Sequence, residues 1–403
     1  MTQQFRNHLE QTCASDPYLD MRFGYNLKQC IGLGAYGIVY QEPGKISSGS
    51  PIVQKVNKIT TRPIKDISRK GIVPLHTVRY EGKGKVGNII LDEEDLIILR
   101  DKELFPLQSA VAEYQHLRTL QGLPYFPQAV EQKWFSKSLG DDICADREFF
   151  LLDGCLCVRT IRTKVVGEEL EKIITQGIHP LDLVKVAYDM AQAIKILGIK
   201  GIIHRDIKPR NVVYNYSSDA QGYHLPGEGN TYLIDFGTSI HEQIADVREK
   251  NDDIVQLLSQ SSKVVCGTNG YFAPETLLGE KVTHHADKWS LGCLLYRAIT
   301  GKLPFANEIE TATYSESIDF GHLYREMLDN FSDNHLFVEA IGGLLTQNPE
   351  ERKLEPLIAE AGEILSKNRN NFGLMYKPLE IIEELDFNIH DTVKVTSFDF
   401  SWR

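Results

Sequence analysis

The sequence predicts an α+β chain in which strands come first and helices follow, and three observations carry that expectation. Tyr25 to Ile31 alternates apolar and polar residues, as a half-buried strand does, and runs into a glycine-rich turn. Glu148 to Leu152 and Cys155 to Val158 are short apolar runs parted by Asp153-Gly154, a hairpin signal. From His179-Pro180 onward, Leu183, Val186, Ala187, Met190, Ile194 and Leu197 recur at three-and-four spacing, which predicts a helix with one buried stripe, ending at Gly198.

At 403 residues, 42% of them hydrophobic, the chain has enough apolar material for a sizeable core. Lys and Arg total 44 against 55 Asp and Glu, a formal charge of -11, which argues against a general affinity for nucleic acid or anionic membranes. Arg6, His8, Glu10 and Asp16 interrupt the apolar residues of the first segment, so no signal-peptide core is expected, and no run is long enough for a membrane span. The seven cysteines, Cys13, Cys30, Cys144, Cys155, Cys157, Cys266 and Cys293, are scattered and lack Cys-x-x-Cys spacing. They read as reduced thiols, so a soluble, cytoplasmic protein is expected.

Residues 1–22 carry little amphipathic signal and are set apart as an extension. Next comes Gly32-Leu33-Gly34-Ala35-Tyr36-Gly37-Ile38-Val39, whose glycines let backbone amides approach phosphate oxygens with no side chain intervening. Such a pattern also opens dinucleotide folds and ordinary turns. Here turn residues (Pro43-Gly44, then Ser47-Ser48-Gly49) and a second strand follow, with no crossover helix. That strand carries Lys55, and a buried lysine needs an anionic partner. From about Asn57 to Leu107 runs a long insertion, basic and turn-rich first, acidic and then apolar from Asp92 to Leu99. It reads as strand-like pieces of a small subdomain or, equally, as a solvated excursion. A helix is expected over Ser109 to Gln121, with Ala110, Ala112, Leu117 and Leu120 on its apolar face, then a strand from Gln128 to Phe135. Asn215 to Asn230 reads as a long solvated hairpin.

The densest chemistry lies in His204-Arg205-Asp206-Ile207-Lys208-Pro209-Arg210-Asn211, where a base, a cation and a metal-seeking amide stand at spacings suited to phosphoryl transfer. Asp206 is expected to accept or orient the proton of an attacking hydroxyl, Lys208 to neutralise the moving phosphoryl group and Asn211 to hold magnesium. Tyr232-Leu233-Ile234-Asp235-Phe236-Gly237 reads as a buried strand ending in a second metal ligand, Asp235. With Ala273-Pro274-Glu275 further on, these motifs resemble, in their order, the eukaryotic-type Ser/Thr protein kinases from about Tyr25 to about Leu354.

The resemblance implies a bilobal protein-kinase-like fold: a small β-rich N-lobe over about 23–164, containing the insertion 57–107, and a larger, mostly helical C-lobe over about 165–354, with a C-terminal extension at 355–403. It implies ATP and Mg2+ as cofactors. Gly32, Gly34, Gly37 and Val39 would cover the nucleotide, and Lys55 would grip its phosphates and pair with a glutamate on the following helix. Glu113 fits that place better than Glu103, because Leu117 follows one turn on and the turn Gly122 to Pro127 lies at the right distance. Thr268 would bond Asp206 and Lys208, Asp287 would brace the catalytic-loop backbone, and Arg352 would pair with Glu275. Arg159 to Leu170 resembles the hinge between lobes, although several arginines sit where apolar residues are expected.

Lys208-Pro209 resembles the Ser/Thr-directed members, so the expected function is an ATP- and Mg-dependent kinase acting on serine and threonine hydroxyls of protein substrates, its own included. The competing readings are a catalytically silent kinase-fold scaffold and a small-molecule phosphotransferase. Filled catalytic positions oppose the first, and the intact segment around Ala273-Pro274-Glu275 opposes the second. Within Asp235 to Glu275, Ile240 to Leu258 has helical periodicity, and Val264 stands where many family members carry a phosphorylated threonine. Phosphate on Ser259, Ser261 or Ser262 is therefore expected to reach Arg205, and without it the helix is expected to lie across the cleft and keep Glu113 from Lys55. His284-His285 reads as an ordinary N-terminal helix turn. After a helix expected at Pro356 to Lys367, the aromatic end (Phe398, Phe400, Trp402) is too apolar for a solvated tail and, with the 57–107 insertion, is a candidate surface for a partner protein.

Overall fold

A computed structural model describes residues 30–33, 37–47, 50–58, 72–73, 79–83, 86–92, 95–99, 101–129, 134–135, 142–143, 148–152, 155–242, 266–305, 307, 311–312, 320–331 and 334–372. Its first part is a six-stranded sheet. β1 (Cys30–Leu33), β2 (Gly37–Ser47) and β3 (Ser50–Lys58) form an antiparallel meander, and β4 (Ile72–Val73) lies at the far edge. The insertion adds β5 (Arg79–Lys83), β6 (Val86–Asp92) and β7 (Asp95–Leu99) as a separate three-stranded sheet, so its strand-like reading holds. β8 (Trp134–Phe135) and β9 (Asp142–Ile143) pair with each other. β10 (Glu148–Leu152) and β11 (Cys155–Thr163) complete the main sheet in the order β1-β2-β3-β11-β10-β4.

Two sequence expectations shift here. Pro43-Gly44 is no turn: β2 runs through it, and the register with β3 slips between Gln41 and Ile46, so the extra residues are taken up as a bulge. In the segment Gln128 to Phe135, Gln128 is not strand, Ala129 makes an isolated bridge to Arg162 and Trp134-Phe135 is strand, while 130–133 lie outside the described residues.

Helix α1 (Asp101–Thr119) packs on this sheet and starts well before the expected Ser109. Asp101 and Glu103 suit a helix N-terminus, and Pro106 falls early enough that its missing N–H removes little from the ladder. Ala110, Ala112, Leu117 and Leu120 are all buried, as their spacing requires.

The chain then crosses through 164–167 into β12 (Glu168–Glu169) and the short helix α2 (Leu170–Gln176). α3 (Pro180–Ile199) runs one residue past Gly198 before Gly201, at φ 64°, turns the chain into β13 (Ile202–Ile203). β14 (Val212–Asn215) and β15 (Asn230–Leu233) form a hairpin, and β16 (Ile240–His241) returns to pair with β13. Among the described residues beyond it come the helices α4 (Pro274–Leu277), α5 (His285–Thr300), α6 (Phe320–Asn330), α7 (His335–Gly343) and α8 (Glu355–Phe372). One buried cluster joins α3, α5, α7 and α8, with Trp289 stacked on Phe305 at 5.4 Å near its centre. Leu357, Ala361 and Leu365 of α8 belong to it, so the extension drawn after residue 354 begins inside the lobe's core. No helix among the described residues is long and apolar enough to cross a membrane.

The loop between β14 and β15 is exposed over most of 216–224, as the solvated reading expects, but it is anchored at its base. Buried Asp182 at the start of α3 accepts from Tyr214 Oη at 2.7 Å and from the Gly227 amide at 2.8 Å, and meets His224 Nε2 at 3.0 Å, so the loop is pinned although Tyr223 stays exposed. The helix expected from Ile240 does not start there, because Ile240-His241 is strand; residues 243–265, with Ser259, Ser261, Ser262 and Val264, lie outside the described residues, as does the aromatic end.

Candidate active site

The loop after β13 is held from behind by Asp287, near the start of α5, whose two carboxylate oxygens accept the His204 amide at 2.7 Å and the Arg205 amide at 2.9 Å. Arg205 adopts φ 65°, a left-handed turn that two charge-assisted bonds hold in place. The His204 ring lies edge-on against Phe236 at 4.8 Å, which ties this loop to the residue after Asp235. Burial pushes the Asp287 carboxyl up, against the pull of His204 and the two amides.

On that base the polar side chains converge. Thr268 Oγ1 donates to Asp206 Oδ1 at 2.7 Å, while Lys208 Nζ donates to Asp206 Oδ2 and to Thr268 Oγ1, both at 2.7 Å. Asn211 Nδ2 donates to the Asp206 carbonyl at 2.8 Å and to Asp206 Oδ2 at 2.9 Å. Thr268 gets this close because its neighbour is Gly267, at φ 133°, where a Cβ would stand 2.6 Å from the Arg205 carbonyl.

The second cluster forms on the sheet side of the cleft. Lys55, central in β3, lies across from Val39 on one side and Thr160 on the other, and the residue is 6% exposed. Its Nζ donates to Glu113 Oε2 at 2.5 Å and to Asp235 Oδ1 at 2.7 Å. Burial would lower the Lys55 ammonium, but Asp235 and Glu113 outweigh it, and the group stands above its ordinary value. Lys55 in turn holds the Asp235 carboxyl well below the usual carboxylate range. Asp235 sits at φ 66°, outside the strand region, so its carboxylate turns back to Lys55. Gly237 lets the chain pass helix α1, since a Cβ there would meet Ser109 Oγ at 2.4 Å.

Both clusters open on one cavity of about 1020 Å³, lined among others by Val39, Lys55, Asp206, Lys208, Asn211 and Asp235. Of the remaining expected nucleotide residues, Gly32 is in β1 and pairs with Val39, Gly37 opens β2, and Gly34 lies outside the described residues. Asn211 and Asp235 suit a hard divalent cation. Asn211 spends its amide N–H on Asp206, which leaves its oxygen as the donor atom, and Asp235 keeps 40% of its side chain exposed towards the cleft.

Residues 155–357, half of the chain, match the protein kinase domain. The chain belongs to the protein kinase family. Among relatives, serine/threonine-protein kinase H1 of Homo sapiens is 30% identical over 188 residues, 46% of this chain and 39% of that protein. The Aurora kinase of Patiria pectinifera is 25% identical over 311 residues, covering 75% of this chain and 66% of that kinase. Serine/threonine-protein kinase AtPK1/AtPK6 of Arabidopsis thaliana is 30% identical over 244 residues, 59% of this chain and 44% of that protein. The chain thus spans 39% of the length of the first of these relatives. The family's bilobal α+β fold is the architecture described above, and the family uses ATP. The residues matched to the family include Asp206, Lys208, Asn211, Asp235 and Thr268; Lys55 and Glu113 lie outside that match, and the geometry brings them to the site.

Two features escaped the sequence reading. Arg159 to Thr163 is not hinge but the end of β11, and the link between lobes is 164–167. Arg162 is no misfit there: it is buried, and its Nη1 donates to Glu113 Oε1 at 2.9 Å. A charged residue between Ile161 and Thr163 in a strand was the available signal, but nothing local named its partner. The other is His116, whose Nδ1 lies 2.6 Å from Ser239 Oγ and which fastens α1 to the segment after Asp235. His284 and His285 contact Glu242 and Glu350 at the start of α5.

Proposed function

We propose that the chain is an active, magnesium-dependent Ser/Thr protein kinase that passes the γ-phosphoryl group of ATP to protein hydroxyls, including its own. The observation that carries this reading is that the Asp206–Lys208–Thr268–Asn211 network and the Lys55–Glu113–Asp235 cluster face one cavity. Asp206 accepts the hydrogen bond of the attacking hydroxyl and aims it, and Lys208, already bonded to Asp206, neutralises charge on the phosphoryl oxygens. Thr268 fixes both in place. Lys55, positioned by Glu113, holds the α- and β-phosphates, and Gly32, Gly34, Gly37 and Val39 cover the nucleotide. Asn211 and Asp235 would hold magnesium, which supplies charge neutralisation across the phosphates when bound. Little covalent chemistry falls to the protein, so charge placement in a partly dry cleft is its contribution.

The silent-scaffold reading loses its main ground. It rested on lobes that never close, and Lys55 of the sheet meets Asp235, which follows β15 of the other lobe, at 2.7 Å, with Glu113 also on Lys55 at 2.5 Å. The serines of the expected phosphate switch lie outside the described residues. The kinase domain spans at least 30–372 in this reading, and the 57–107 insertion is a candidate docking surface for a partner protein. Purified chain incubated with ATP and magnesium tests the proposal: phosphate on its own serines or threonines, or on a generic protein substrate, is the expected result. Turnover of a small alcohol with none on peptides would instead favour a small-molecule phosphotransferase.

A further inference from the structure

Glu113 is fully buried, and each of its carboxylate oxygens has its own cation: Oε2 has Lys55 at 2.5 Å and Oε1 has Arg162 at 2.9 Å. The strand register explains how. Arg162 is opposite Val53 in the β3–β11 pairing and Thr160 is opposite Lys55, so Arg162 and Lys55 emerge on the same face of the sheet, one pair apart, towards helix α1. Two cations then face two carboxylates, Glu113 and Asp235, and the cluster is formally neutral. With Lys55 alone, the cluster would carry one net negative charge, and Glu113 would depend on a lysine that is also bonded to Asp235.

We infer that Arg162 is a positioning residue for the phosphoryl-transfer site: it holds Glu113, and through it helix α1, so that Lys55 can turn to phosphate oxygens while Glu113 keeps a partner. The inference rests on the kinase reading for its catalytic consequence but not for its structural one. A guanidinium suits the task because it is always charged and its planar fork is stiff, whereas a second lysine would be mobile. His116 bonded to Ser239 fastens the same helix one turn on, so Arg162 acts at the end of α1's contact nearest the cleft.

The experiment is a double-mutant cycle with Arg162→Met, Arg162→Lys and Glu113→Gln, reading kcat, the dissociation constant of ATP with magnesium, and amide hydrogen exchange across residues 109–119. Arg162→Met is expected to lower kcat about tenfold or more while ATP affinity changes little, and to speed exchange in α1. Arg162→Lys should recover part of both. In the Glu113→Gln background, Arg162→Met should cost almost nothing further, because the two residues act as one. Wild-type kcat and unchanged exchange in Arg162→Met would overturn the inference, as would an equal loss with and without Glu113. Should Arg162→Met not fold, Arg162→Lys combined with Glu113→Gln serves in its place, coupling supporting the inference and independence overturning it. If the wild-type chain transfers no phosphate, the kinase reading fails by itself, and exchange in α1 alone decides the role of Arg162.

Discussion

Two buried glutamates, Glu275 and Glu113, face arginines in opposite lobes, and their surroundings differ. Arg352 is fully buried and grips Glu275 with both terminal nitrogens, at 2.7 and 2.9 Å. It also donates to the carbonyls of His285, Thr346 and Gln347, and its guanidinium lies 5.0 Å from the centre of the Trp289 ring. Every donor has a fixed acceptor, so this pair is a brace that nothing is free to exchange. Glu113 is as deeply buried, but its cations Lys55 and Arg162 line the cleft cavity, and Lys55 divides itself between two carboxylates. A pair sealed in a core contributes rigidity, whereas a pair whose cations meet the cavity can give up one contact to a ligand without leaving a bare charge.

Substitutions separate the two kinds of carboxylate, with Asp206 as the benchmark. Asp206→Asn should lower kcat by about a thousandfold, with ATP affinity and melting temperature close to wild type, because on the proposed function it removes the group that aims the attacking hydroxyl while an amide of the same shape keeps most of the bonds around it. Arg352→Met should do the reverse. It strands Glu275 in the core and should cost about 3–5 kcal/mol in urea unfolding, while the remaining folded protein keeps its turnover. Glu113→Gln falls between them, with kcat down about ten- to a hundredfold and a stability loss of about 1 kcal/mol, since water and Asp235 reach the cations it leaves. If Glu113→Gln unfolded the chain as Arg352→Met does, the contrast between brace and exchangeable pair would collapse.

The smallest effect concerns pH at the same helix. His116 is pushed down from an ordinary 6.5 to about 3, by burial first and then by His241, His204 and Arg205. Below pH 6.5 the unfolded chain therefore binds a proton that the folded chain refuses, and stability falls as pH drops towards 3, by about 2 kcal/mol at pH 5. Urea-unfolding free energies of wild type and His116→Asn between pH 7.5 and pH 5 should converge on the acid side by about that amount. Parallel curves would mean that His116 is solvated in the folded state.

The octet His204 to Asn211 was readable from sequence as one group because its residues lie within eight positions, so local spacing alone brings Asp206, Lys208 and Asn211 together once the loop forms. Glu275 and Arg352 were matched across 77 residues by resemblance and not by any local pattern. Arg162 went unread for the same physical reason. Its partner is 49 residues away, on a helix whose start was itself misplaced by eight residues, and a charge in a strand says only that some anion must be near. The bulge at Pro43-Gly44 and the pinned loop after β14 also went unread, because the register of β2 on β3 and the buried Asp182 belong to pairings, not to segments.

By itself, then, the sequence determined the main run of strands followed by helices and the grouping of Asp206, Lys208 and Asn211, since periodicity and short-range spacing are properties of contiguous residues, while the expected places of Lys55, Glu113 and Thr268 came from resemblance. Tertiary structure alone decided which cations meet Glu113, how the chain turns at Arg205 and Asp235 to aim its side chains, and where the C-terminal helix packs. Those outcomes depend on strand register and on burial, which set the cost of an unpaired charge and so select partners that stand far apart in the chain.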